Sequence, residues 1–167
     1  KISKSGEGNL FANLYQKLWI KSNTGAKFDD KVEVTKTITY AQSGSYNLIP
    51  GDLALVTITI KFKKDSQDQK TGYAVIEDHL PSGLIPVNFR MLNEYDEEES
   101  YSGSYYYTEY LTDGVIIPFY LNGGDKNIFT YKARVINEGT FSNPPVFFTM
   151  MYRPDIWGRS DFDSINI

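Results

Sequence analysis

Few side chains in this sequence are of the types that perform chemistry, and their spacing says what they can do. His79 is the sole histidine, which excludes a multi-histidine metal site and leaves one possible general base. A catalytic role would require a positioned nucleophile and an orienting carboxylate. Its context is Glu77-Asp78-His79-Leu80-Pro81, where a strand ends and a turn begins. Neighbours on a strand point to opposite faces, so Asp78 does not orient it, and His79 reads as a surface histidine. The run Asp96-Glu97-Glu98-Glu99 offers oxygens to a cation but lacks the alternating spacing and glycine of a calcium loop, and reads as a solvated loop. Gly123-Gly124-Asp125 is followed by no lysine–threonine pair and no helix, so it is not a phosphate loop; residues 122–125 are expected to form a hairpin turn. No Gly-x-Ser-x-Gly elbow occurs. The expectation is a non-catalytic chain without metal or cofactor.

Tyr101, Tyr105, Tyr106, Tyr107 and Tyr110 form the densest aromatic strip. Tyrosine supplies contact area at low entropic cost, so Tyr101, Tyr105 and Tyr107 are a candidate binding surface. The alternative is a strand with aromatic cross-strand packing.

At 167 residues the chain accommodates one ordinary domain, or one domain plus a fragment, and buries a core without staples. There is no cysteine, which excludes disulfides, thiolate zinc sites and a cysteine nucleophile within the chain. That absence does not fix the compartment. A net charge of −4 gives no reason to bind phosphate backbones, so nucleic acid is not an expected partner. No apolar run approaches the ~20 residues that span a bilayer. No basic region followed by an apolar stretch opens the chain, so a signal peptide is expected to be absent or trimmed. The start at Lys1-Ile2-Ser3 is expected to be an internal cut from something larger.

The elements that position these residues have a period of two. In residues 53–63, Ala54, Val56, Ile58, Ile60 and Phe62 share one face against Thr57, Thr59, Lys61 and Lys63, a half-buried antiparallel strand. Residues 127–136 repeat the pattern, and 32–40 do so with Lys36 as the exception on the apolar face. Shorter strands are expected over 72–77, 84–89, 105–110, 115–120 and 146–152. Turns at 50–52, 81–83, 113–114, 122–125 and 144–145 separate them. Such a series predicts an all-β, two-sheet antiparallel sandwich. Residues 10–20 carry large side chains on both faces, as a strand covered on both sides would. Residues 1–28 are therefore expected to be the last strand and linker of a preceding domain, and 29–167 the main sandwich.

Two segments carry a resemblance to a known family. Gly51-Asp52-Leu53, then the strand to Asp78-His79-Leu80-Pro81-Ser82-Gly83, resembles the "Gly-Asp, strand, strand, Asp-x-Leu-Pro-x-Gly" signature of bacterial α2-macroglobulins. Gly139-Thr140-Phe141, Pro144-Pro145 and Met151-Tyr152-Arg153-Pro154 resembles the ending of the same family, and Trp157-Gly158-Arg159-Ser160 continues it. The family consists of large protease traps in the bacterial envelope. The resemblance implies a last macroglobulin-like domain of immunoglobulin- or fibronectin-type architecture, preceded by a CUB-like domain. It implies neighbouring thioester and CUB-like domains as partners, target proteases as indirect ones, and a periplasmic or cell-envelope location. By the same resemblance Met151 and Tyr152 shield a thioester held by the neighbouring domain; Met150 precedes Met151, so either sulfur is a candidate. The rival reading is a cell-surface stalk or adhesin sandwich that binds a glycan or host protein through the tyrosine strip.

Overall fold

The computed structural model describes residues 3–17, 27–28, 30–40, 48–63, 70–88, 104–105 and 107–167, with backbone alone at 104–105. Twelve strands run through the described residues: β1 (Val32–Tyr40), β2 (Leu53–Phe62), β3 (Thr71–His79), β4 (Leu84–Pro86), β5 (Ser104–Tyr105), β6 (Glu109–Tyr110), β7 (Gly114–Asn122), β8 (Lys126–Val135), β9 (Thr140–Asn143), β10 (Phe147–Met150), β11 (Arg153–Arg159) and β12 (Asp163–Asn166). One sheet has the order β1-β2-β8-β4, and the other β11-β10-β3-β7-β5 with β6 also pairing β7. A small third sheet joins β12 to β9. Every pairing is antiparallel.

The alternation seen in the sequence sets which side chains meet between the layers. Val56, Ile58 and Ile60 of β2 face inward from the four-stranded sheet, and Ala74 and Ile76 of β3 face inward from the other. Aromatic rings close the gap: Phe119 of β7 meets Phe129 of β8 with centroids 4.5 Å apart, and Phe148 of β10 stands edge-on to Phe62 of β2 at 5.9 Å. Each inward valine, isoleucine and phenylalanine contributes about 1.5–3 kcal/mol of apolar burial, which fixes register, because a one-residue slip would turn the whole set to solvent.

The long strands agree with the sequence pattern to within a residue or two. Three expectations need correction. Residues 122–125 do not make a hairpin, because β7 and β8 lie in different sheets; the turn is an arch that carries the chain across the core, as is the turn at 81–83. The strip at 105–110 is not one strand but two short pairings, Tyr105 with Phe119 and Tyr110 with Val115. The strand at 146–152 stops at Met150 and is not the last, since β11 and β12 follow it. Residues 10–17 are unpaired and exposed here, as a ribbon apolar on both faces is when the layers that would cover it are not part of the chain. Residues 18–20 of that stretch, and 89 of the expected strand 84–89, lie outside the described residues.

The open side of the sandwich is narrowed by a close approach of β11 to β1. A Cβ on Gly158 would stand 2.6 Å from the Val32 carbonyl oxygen and 2.9 Å from a Val34 methyl, so only hydrogen fits. Gly158→Ala is expected to cost about 1–3 kcal/mol, the range for overpacking a filled interior, seen as a lowered urea midpoint with an unchanged slope. An unchanged midpoint would show that β11 can move away freely.

Candidate functional site

Two places stand out from the ordinary sandwich: an exposed hairpin tip and a buried polar cluster. The tip is built by β10 and β11. Phe147 pairs with Arg159, Phe148 with Gly158 and Thr149 with Trp157, after which the register shifts and Met150 pairs with Arg153. Met151 and Tyr152 are the two residues that turn the corner. The Met151 amide donates to the Tyr73 carbonyl at 2.9 Å, which ties the tip to β3. Met150 points inward and is 2% exposed, whereas Met151 is 45% and Tyr152 79% exposed. Of the two candidate sulfurs, Met151's is therefore the one on the surface side chain.

Tyr152 does not stand alone. Its ring is edge-on to Tyr73 (centroids 6.2 Å apart, 77°), and Tyr73 is edge-on to Tyr120 (5.0 Å, 74°). Tyr73 and Tyr120 are cross-strand partners on β3 and β7, so a rigid sheet holds two rings that steady the third. Edge-to-face pairs of this kind contribute about 0.5–1.5 kcal/mol each beyond their buried area. Nothing in the sequence marked Tyr73 or Tyr120; the usable signal was that both are outward positions on strands whose inward positions are apolar.

The buried cluster accounts for the exception in the alternation of β1. Lys36 faces inward, and its ammonium reaches Asp78 Oδ1 at 2.6 Å across the sheets, with the two side chains 2% and 0% exposed. It also donates to the carbonyl oxygens of His79 at 2.8 Å and Pro144 at 3.3 Å. The Tyr131 hydroxyl, from β8, donates to Asp78 Oδ2 at 2.6 Å. Burial pushes the Asp78 carboxyl up from the ordinary range while the Lys36 charge opposes the shift. Burial pulls the Lys36 ammonium down while Asp78 opposes it. The Tyr131 phenol is raised well above its usual value, by burial first and then by the Asp78 charge.

His79 points the other way, as strand alternation requires, with its side chain half exposed and its Nδ1 3.2 Å from Asp113 Oδ2. Among the described residues, no group of three or more histidines and carboxylates is placed to hold a metal ion. Tyr107 is 62% exposed between β5 and β6, and Tyr110 packs against the core. Tyr105 lies on β5, and Tyr101, Tyr106 and the acidic run 96–99 lie outside the described residues.

Removing one partner of a buried ion pair leaves a charge without compensation and costs about 3–5 kcal/mol, whereas replacing both with apolar groups is often neutral. Asp78→Ala is therefore expected to destabilise the chain strongly in urea unfolding, and the double variant Lys36→Met/Asp78→Leu to recover part of that loss. A double variant less stable than Asp78→Ala would contradict the assignment of the pair as mutually dependent.

Comparison with known proteins gives a consistent answer. The model of the bacterial α2-macroglobulin MG10 domain matches residues 23–155. Native α2-macroglobulin of Escherichia coli, in a structure spanning domain MG7 to the C-terminus, superimposes with a TM-score of 0.69 at 20% identity, over 87% of this chain and 24% of that one. Trypsin-activated α2-macroglobulin of E. coli gives 0.67 at 19% identity, over 84% of this chain and 10% of that one. Salmonella α2-macroglobulin reacted with methylamine also gives 0.67 at 19%, over 87% and 10%. No curated protein matches the chain. The chain thus spans a quarter or less of the length of these three relatives, and at such identities they attest to the fold. On the strength of the family match, with an antiparallel sandwich of the corresponding architecture, the chain belongs to the bacterial α2-macroglobulin MG10 domain family.

Proposed function

We propose that this chain is the non-catalytic C-terminal macroglobulin-like domain of a bacterial α2-macroglobulin-like protease inhibitor, and that it packs against and shields the thioester domain of the same parent chain. The observation that carries this reading is the hairpin tip. Tyr152 is 79% exposed yet held by a ring contact, and Met151 beside it is 45% exposed with its amide fixed to β3. Tyr152, Met151 and the half-exposed Tyr73 make a contiguous exposed patch rather than a lone surface ring, the kind of feature that marks an interaction site. Pre-fixing the ring reduces the ordering entropy lost when that surface docks.

The chemistry of the pair suits a reactive acyl group. A methionine thioether adapts to an irregular surface, and a tyrosine ring covers one flat face. Together they exclude water from a thioester without forming a bond to it, so the cover opens once the domains separate. One relative bears the description "trypsin activated" and another "reacted with methylamine", and this mechanism gives the tip a place in such behaviour. Exposed residues 10–17 then belong, with 18–28, to the strand and linker of a preceding CUB-like domain, whose sheet would cover both of their apolar faces. The corresponding location is the periplasm or cell envelope.

Tyr152→Ala in the intact parent protein is expected to raise thioester reactivity towards methylamine several-fold, with Met151→Ala giving a smaller rise in the same direction. Unchanged reactivity in both would remove the shielding role. Saturable binding of the isolated chain to a glycan or host protein would favour the surface-adhesin reading instead.

A further inference from the structure

The cluster between the sheets has a geometry that mutual charge compensation does not require. Other lysine–aspartate pairs in the described residues keep their carboxylate wet: Asp125, paired with Lys70, is 74% exposed, and Asp155, paired with Lys31, is 65% exposed. Lys36 and Asp78 are both dry. The three N–H bonds of the Lys36 ammonium point in assigned directions. Two are taken by the backbone carbonyls of His79 and Pro144, and the third by Asp78 Oδ1 at 2.6 Å. If that third proton crosses to the carboxylate, the lone pair it leaves behind faces the Asp78 carboxyl while the other two N–H bonds hold the nitrogen in place. The result is a neutral amine aimed at a neutral carboxylic acid, with no water between them.

We propose that Lys36 and Asp78 condense into an intramolecular isopeptide bond that joins β1 of one sheet to β3 of the other. The Nζ lone pair attacks Asp78 Cγ, and the Nζ–Cγ bond forms as the Cγ–Oδ2 double bond opens. The negative charge falls on Oδ2, where the Tyr131 hydroxyl already donates at 2.6 Å. Nζ then passes a proton to Oδ1, the Cγ–Oδ1 bond breaks, and Oδ1 departs as water as the carbonyl re-forms. Nitrogen keeps one hydrogen, and His79 O is within reach to accept it. No oxidant, reductant or cofactor enters the balance. In water the same reaction fails because the amine is protonated and the acid ionised near neutral pH. Here burial moves both groups towards their neutral forms.

Three further features fit. Holding the reactants in contact corresponds to an effective concentration of about 10⁵–10⁸ M for well-oriented intramolecular reactions, which offsets the tendency of amides to hydrolyse. A cleft of about 200 Å³, lined in part by Lys36, Thr35, Asn143 and Ser160, adjoins β1 at Lys36 and can take up the departing water. The product replaces two buried charges with one amide whose oxygen keeps the Tyr131 hydrogen bond, so the desolvation cost of the ion pair disappears. The cross-link would also close a loop between positions 42 residues apart, which restricts the unfolded chain.

The test is mass spectrometry of the purified protein after prolonged incubation in its folded state. The expected result is a mass lower than the sequence requires by one water, together with a branched tryptic peptide joining the segment around Lys36 to that around Asp78. Trypsin should then fail to cut after Lys36. Tyr131→Phe should slow formation several-fold, and Lys36→Arg should abolish it. A wild-type protein of full sequence mass, cut normally after Lys36, overturns the proposal. Cross-linking of Tyr131→Phe at the wild-type rate overturns the part assigned to Tyr131.

Discussion

Lys36 and Asp78 meet at 2.6 Å between two sheets that are otherwise closed by apolar side chains. This contact constrains the strands more sharply than the oil around it. Apolar burial is non-directional and tolerates small shifts, whereas a buried charge must find its partner and its carbonyl acceptors at hydrogen-bond distance or become very costly. The contact therefore fixes β1 against β3, and the Tyr131 hydroxyl adds β8. With these strands placed, β2 is held between β1 and β8, and β7 and β10 pair on either side of β3. This polar contact adds a directional constraint to the register that apolar alternation sets.

The hairpin tip depends on that frame. β10 is locked into the core by Phe148 and Met150, and its pairing with β3 places Met150 opposite Ala74. The next two residues turn the corner, and a register shift between β10 and β11 accompanies the turn. Met151 and Tyr152 are thus presented on a two-residue turn tied to a buried strand, with Tyr73 and Tyr120 as a fixed backing. A surface that must dock repeatedly in one geometry benefits from such support, since contact residues on rigid elements hold position better than those on loops. In the proposed role, the tip's contribution is steric and reversible, and the thioester belongs to its neighbour.

Much of this was legible in the sequence. The alternation in 32–40, 53–63 and 127–136 identified three adjoining strands of the four-stranded sheet, and Lys36 was visible as a charge on an apolar face. What the sequence could not show was its partner, because Asp78 lies 42 residues away and on a strand whose membership in the opposite sheet is a matter of topology. The same limitation turned an expected hairpin at 122–125 into an arch: local residues specify a turn, but not whether the next strand returns to the same sheet. β11 carries Pro154 and Gly158, residue types that disfavour strand interiors, yet the strand sits at a sheet edge where proline is tolerated, and Gly158 is needed for the close approach to β1. β9 and β12 are short and polar and, among the described residues, pair only with each other. Met151 and Tyr152 were identified by resemblance; their division from Met150 into surface and core followed only from the turn.

The central claim is that the Met151–Tyr152 tip faces the thioester domain of its own parent chain. It is tested most directly by placing a photo-activated cross-linking amino acid at position 152 of the intact, unreacted parent protein and mapping the adduct. The account predicts an intramolecular adduct on the thioester domain that is lost once the thioester has been opened by protease. An adduct confined to another molecule, or none at all in the unreacted protein, would contradict it.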